Sequence, residues 1–332
     1  MNEVYLIGAF FLAWSFGRNN MGNIFGTAIG THMLSLKMAA LVAGVCMMLG
    51  ALISGEHTTA NVAAIAHFKT MQDAFIVSVS IGIVLLIMGK RGIPVSISQT
   101  TVGALLAWDI FHRIDVDWYL IQKIILAWIY SPFLSAFTAF FIFKGVRSFL
   151  RKHPVGIFYR DVYIRIGLIC VGAFFSYALG ANNLGNLVGP FLNVSAFNEV
   201  ELFIMMGLFA WAGFMTASPK VIKTISSSVF PLSPVEALVV VFSGALVLFL
   251  FSFGYLRIVL HSIGLFSLPM VPVSVSEVVI GAIVGVSLAK GGYGLKYKTL
   301  GNIAKAWVSV PILSALICGG ILTILSFVKG IF

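Results

Sequence analysis

Long, continuously apolar runs recur along the chain, among them 38–52, 74–88, 124–143, 238–253 and 308–328. Runs approaching or exceeding about 18 residues are long enough to cross a bilayer as helices. Backbone groups in lipid must be satisfied within their own segment, so a span is a helix unless the chain closes a barrel. Barrel strands alternate apolar and polar side chains over about 10 positions, and these runs do not alternate. The pattern predicts an all-α, polytopic membrane protein.

Polar motifs interrupt the apolar pattern, and they do so twice. Gly17-Arg18-Asn19-Asn20-Met21-Gly22-Asn23 returns as Gly180-Ala181-Asn182-Asn183-Leu184-Gly185-Asn186. Pro94-Val95-Ser96-Ile97-Ser98-Gln99, with Gly103-Ala104 beyond it, returns as Pro272-Val273-Ser274-Val275-Ser276-Glu277 with Gly281-Ala282. Ile124, Ala127, Trp128 and Pro132 match Ile303, Ala306, Trp307 and Pro311. The three matches keep their order, at offsets of 163, 178 and 179 residues. Three matches in register indicate a duplication.

Five crossings are expected per half, at 4–35, 37–55, 72–89, 94–111 and 118–143, then at 162–195, 200–217, 234–260, 270–290 and 300–327. An odd number per half inserts the halves in opposite orientations. The expected organisation is a first repeat over 1–143, a basic linker over 144–161 and a second, inverted repeat over 162–332. Asn is a poor helix residue and costly to bury alone, so both Gly-Asn motifs are expected to break their helices at the membrane midplane. Binding sites in inverted-repeat transporters form at such breaks. Close helix packing is the competing reading of the same residues.

In the Pro-Val-Ser motifs, proline is expected in the first helical turn with the serines directly after it. A helix that begins inside the membrane presents free N–H groups and a positive dipole end, which suits an anion. Two such ends facing each other would suit a tetrahedral oxyanion; ordinary loop-to-helix starts are the alternative. Ser96, Ser98, Gln99, Ser274, Ser276, Asn19, Asn182 and Arg18 are the candidate substrate contacts. Arg18 and Glu277 are ionisable groups inside apolar segments, each a functional candidate, and Arg18 is expected to pair with Glu277 or with a bound anion. Asp109, Asp115 and Asp117 read as loop-edge residues.

Composition narrows the picture. Hydrophobic residues make up 60% of the chain and charged ones only 10%, with a mean hydropathy of +1.04; a soluble domain carries about 25% charged residues. The net charge of +10 is read as topology, not as nucleic-acid binding. Lys144, Arg147, Arg151, Lys152, Arg160 and Arg165 surround one acid, Asp161, so the positive-inside rule places the linker in the cytoplasm and both termini outside. The amino terminus reads as a retained first helix, since it has no basic n-region or cleavage site. Cys46, Cys170 and Cys318 lack CxxC spacing and read as core residues. No nucleophile elbow, zinc-protease His pair or phosphate-binding P-loop is present, which argues against an enzyme or an ATP-driven pump.

The duplicated motifs resemble those of the inorganic phosphate transporter (PiT) family of sodium- and proton-coupled carriers. That family carries Gly-Ala-Asn-Asp in each half, followed by Val-Ala-Asn, and a Pro-Val-Ser-Thr-Thr-His element; the resemblance spans nearly the whole chain. It implies phosphate as substrate at the serine elements. It associates Asn19-Asn20 and Asn182-Asn183 with coupling-cation and substrate sites. Asn23 and Asn186 join the coupling candidates beside them, and Glu277 is a coupling candidate on its own chemistry, as an acid inside an apolar segment. Both family aspartates are Asn here (Asn20 and Asn183), and Thr-Thr-His has become Ile-Ser-Gln and Val-Ser-Glu. Losing two carboxylates weakens cation attraction. The expectation is retained anion recognition with altered coupling, through sodium, through protons at Glu277, or through neither. No other cofactor is expected, and a homo-oligomer is left open. Sulfate remains an alternative substrate, and an anion-binding receptor without transport an alternative class.

Overall fold

The computed structural model describes residues 2–153, 156–253, 262 and 270–328 of the chain. Every regular element among them is helical. A 3-10 turn (Asn2–Tyr5) leads into α1 (Leu6–Gly30), α2 (Leu36–Ser54), α3 (Glu56–Ile65), α4 (Met71–Arg91), α5 (Ile97–His112) and α6 (Trp118–Lys152). Then follow α7 (Ile157–Asn183), α8 (Gly185–Leu192), α9 (Glu199–Met215), α10 (Pro219–Lys223) with a π-helical turn (Thr224–Ser228), α11 (Pro234–Leu250), α12 (Val275–Ala289) and α13 (Tyr297–Val328).

Local chemistry sets several boundaries. Capping boxes start α4 at Thr70 with Asp73, α9 at Asn198 with Glu201 and α11 at Ser233 with Glu236; each satisfies otherwise orphaned N–H groups. Gly92, at φ 74°, ends α4 in the left-handed region where a Cβ would be strained. Five described stretches are long and apolar enough to cross a membrane alone: α2, α4, α6, α13 and the run Asp161–Leu192 that joins α7 to α8. α9 and the 219–228 segment form a sixth candidate, bent by 70°. The predicted 234–260 crossing is helical over α11; its part from 254 to 260, with Arg257, lies outside the described residues, as do His261 and Lys329.

The first Gly-Asn motif does not break its helix. α1 passes through it as one 25-residue helix, because the amide donors find acceptors within the helix. Asn20 Nδ2 returns to the Phe16 carbonyl at 3.1 Å, and Asn23 Nδ2 donates to Asn20 Oδ1 at 3.1 Å. At the second motif the interruption is one residue, Leu184, which keeps helical angles (φ −66°, ψ −26°). Two further sequence readings need correction. Asp109 is buried, not at a loop edge, and pairs with His67 Nδ1 at 3.2 Å. Cys170 is exposed, so only Cys318 is a fully buried thiol.

Close helix approaches come in matched pairs. Gly17 lies against the Ala210 carbonyl, and Gly180 against that of Met47; both partners of the second contact are displaced by 163 residues from those of the first. Gly213 against Trp14 and Gly50 against Tyr177 obey the same exchange. So do Gly103 against Pro311 and Gly281 against Pro132. In each pair i meets j′ and j meets i′. Small residues allow this approach in lipid, where packing, not the hydrophobic effect, drives association. The most extensive helix pairs follow the same rule: α1 with α9 and α2 with α7, α5 with α13 and α6 with α12. The halves therefore interlock.

Candidate functional site

Two irregular segments inside the bundle aim the serines. After Gly92 the chain is non-helical until Ser96, the N-cap of α5 (φ −86°, ψ 125°), whose Oγ accepts the Gln99 N–H at 3.3 Å. Residues 270–274 repeat this, with Ser274 the N-cap of α12 and accepting the Glu277 N–H at 3.4 Å. The prolines thus precede the caps by two residues and do not occupy the first turn. A serine cap starts the helix more effectively, and a residue preceding proline is held extended. Ser98 Oγ lies 2.9 Å from Ser96 Oγ, and Ser276 Oγ 3.5 Å from Ser274 Oγ. All four serines are buried. α5 and α12 have 16 and 15 residues, so at roughly 1.5 Å per residue each is shorter than a bilayer core of about 30 Å.

Irregular backbone in a protein interior needs polar partners, and the Gly-Asn motifs supply them. Asn19 Nδ2 donates to the Val95 carbonyl at 2.9 Å. Its counterpart Asn182 donates to Val271 at 3.2 Å and accepts the Val273 N–H at 2.7 Å. Asn183 Nδ2 holds Asn182 Oδ1 at 3.0 Å. Asn19 and Asn182 thus spend their donors on orienting the serine segments. Two further tethers, Trp128 Nε1 to Pro272 O at 3.3 Å and Asn61 Nδ2 to Met270 O at 2.5 Å, were not anticipated as site residues. Trp128 at least belongs to the third duplicated motif; Asn61 carries no sequence signal.

The two helix starts are joined directly. Gln99 Nε2 donates to Glu277 Oε1 at 2.6 Å, and both residues are 4% exposed. Glu277 stands at N3 of its helix, where a capping-box acid would turn back to the N-cap amide; Glu277 turns instead to the other half. Gln99 Oε1 and Glu277 Oε2 are buried without a hydrogen-bond partner among the described residues. So are Asn19 Oδ1 and the equivalent pair Asn23 Oδ1 and Asn186 Oδ1. Asn186 Nδ2 is spent on the Asn183 carbonyl at 3.1 Å, as Asn23 Nδ2 is on Asn20. This leaves oxygens free on both motifs.

Arg18 is not brought to this cluster. Its Nη1 donates to the Thr216 carbonyl at 3.0 Å, and the guanidinium lies 5.5 Å from the centre of the Trp14 ring. A cation there complements the carbonyl end of α9. The pairing of Arg18 with Glu277 is not made.

The arrangement joins two positive helix ends, each with two serine hydroxyls, through the Gln99 amide and the Glu277 carboxyl; such helix ends can bind a small anion. The family model described as the phosphate transporter family matches residues 16–160 and 158–318. A protein named as a phosphate permease in Thermococcus kodakarensis is 24% identical, with 98% of each chain covered. One so named in Methanocaldococcus jannaschii is 25% identical over 94% of each. A chloroplastic inorganic phosphate transporter of Arabidopsis thaliana is 23% identical over 92% of this chain and 69% of its own. A solved structure titled "The sodium-dependent phosphate transporter" has the same fold, with a TM-score of 0.78 at 21% identity over 98% of both chains. That family is a class of transporters, not of enzymes. The chain belongs to the phosphate transporter family.

Proposed function

We propose that the protein carries inorganic phosphate across a cell membrane by secondary transport, the anion binding between the amino ends of α5 and α12. The observation that carries this reading is the meeting of the two duplicated serine-capped helix starts through Gln99 and Glu277. A tetrahedral anion there would accept hydrogen bonds from Ser96, Ser98, Ser274 and Ser276 and from free first-turn N–H groups. The matched contacts between halves support two repeats, 1–143 and 162–332, related by a two-fold axis in the membrane plane. Rocking of one against the other would alternate access. The basic linker at 144–161 would then lie in the cytoplasm, with both termini outside.

Sodium dependence belongs to the solved relative by its title. Here a cation would meet Asn20, Asn23, Asn183 and Asn186, all neutral. Amide oxygens can coordinate sodium, and the unpartnered Asn23 and Asn186 oxygens suit it. Without carboxylates the attraction is weak, so sodium would bind well only with phosphate already present to supply the negative charge. The test is uptake of radiolabelled phosphate into proteoliposomes, with and without imposed sodium and proton gradients. Saturable phosphate uptake and counterflow support the reading. Preference for sulfate would replace the substrate, and binding without uptake would make the protein a receptor.

A further inference from the structure

Glu277 presents a conflict with its own site. Its side chain belongs to the helix end that is to receive an anion, and it is an acid. Like charges brought together in a water-poor interior cannot both stay ionised. The rest of the chain shows what an ordinary acid at N3 does. Asp73, Glu201 and Glu236 each turn back to the backbone N–H of their own cap residue. Glu277, preceded by Ser274 in the same Ser-x-x-Glu spacing as Ser233 and Glu236, does not. It reaches 178 residues back to Gln99, at the equivalent position in the other half. Oε1 is held by Gln99 Nε2, while Oε2 is buried with no partner among the described residues.

Among the described residues, no other charged group on the surrounding elements is paired with this acid. Arg18 of α1 is directed to Thr216. Glu236 of α11 pairs with Lys290, beyond the opposite end of α12, at 2.7 Å. Asp109 of α5 pairs with His67, and His112 bonds the Trp108 carbonyl, near the carboxyl end of that helix. On α6, Lys123 lies over Tyr119 and Lys144 over Phe140, while Arg147, Arg151 and Lys152 occupy its final turns.

We propose that Glu277 occupies the anion site in the ligand-free protein, and that phosphate binding is linked to uptake of one proton by this carboxylate. The step balances simply. A proton from water joins Oε2, the oxygen without a partner, and Gln99 Nε2 keeps its bond to Oε1. The neutral carboxyl then presents an O–H donor, so the group that repelled the anion becomes one more hydrogen bond to it. The inference rests on phosphate binding between α5 and α12, and adds to that reading the coupling proton and the residue that holds it.

The experiment is calorimetric titration of the full-length purified protein with inorganic phosphate, in buffers of differing ionisation enthalpy. Series from about pH 5 to about pH 9 give the protons taken up per phosphate bound. The expected result is that, on the alkaline side, wild type takes up about one proton more than Glu277→Gln, with Glu277→Asp resembling wild type. Equal proton counts in wild type and Glu277→Gln overturn the proposal; they are the outcome expected if Glu277 instead swings back to the Ser274 amide and stays charged. Should Glu277→Gln fail to fold, infrared difference spectra of wild type decide: a protonated-carboxyl C=O band appearing with phosphate supports the proposal, and its absence rejects it. Phosphate binding with no proton linkage sinks this inference alone. No phosphate binding at any pH sinks the transport reading with it.

Discussion

The side-chain oxygen of Asn182 accepts the backbone N–H of Val273 at 2.7 Å while its Nδ2 donates to the Val271 carbonyl at 3.2 Å. One amide thereby fixes the irregular stretch that aims Ser274. Asn182→Ala would strand the buried Val273 N–H, the Val271 carbonyl and the Asn183 amide, at about 1–3 kcal/mol each. A clearly lowered melting temperature and loss of most phosphate uptake are expected. Asn182→Asp keeps the acceptor and lacks the donor, so its melting temperature should fall between the two. Thermal unfolding in detergent checks the order, and an Ala variant as stable as wild type contradicts it.

Glycine positions separate close packing from open surface. A Cβ on Gly17 or Gly180 would meet the backbone of Ala210 or Met47, which cannot move aside alone. Gly17→Ala and Gly180→Ala should each cost about 1–3 kcal/mol. At Gly145 and Gly319 an added Cβ would meet nothing within 4 Å, so alanine there should be neutral or stabilise by about 0.5–1 kcal/mol. Comparison of the four melting temperatures tests the interlocking of the halves.

Ser98 and Ser276 follow the caps and are not themselves caps, which makes them the cleaner probes of ligand contact. Replacing both by Ala removes hydroxyls bonded only to neighbouring hydroxyls, so stability should fall by about 1 kcal/mol per site or less. Two lost contacts to a charged ligand, at about 1.5–3 kcal/mol each, correspond to a phosphate KM raised by about a hundredfold or more. Uptake kinetics at fixed protein load provide the check, and an unchanged KM would remove these hydroxyls from the site.

Much of this architecture was legible because it is written twice. The repeated Gly-Asn and Pro-Val-Ser motifs located the elements that meet, and the apolar runs fixed the helical class. What escaped was the detail set by side-chain partners. Asparagines predict broken helices only if their amides are unsatisfied, and the bonds of Asn20 to Phe16 and of Asn23 to Asn20 keep α1 intact. The prolines suggested helix first turns, but Ser96 and Ser274 compete for the boundary and win as caps. Arg18, a charge inside an apolar segment, reads as a partner for Glu277 or an anion; in space its Nη1 donates to the Thr216 carbonyl and not to Glu277. The burial of Asp109 depends on His67, 42 residues away, which no local pattern encodes. The Gln99–Glu277 bond joins matching positions of the two Pro-Val-Ser motifs, yet neither motif alone shows that their ends meet.

The most direct measurement is an experimental structure of the protein with phosphate, or with arsenate located by its anomalous signal. A single tetrahedral anion should lie between the starts of α5 and α12, within hydrogen-bonding distance of Ser98 and Ser276. An anion bound elsewhere, or these two helix starts closed on each other while transport proceeds, would contradict the account.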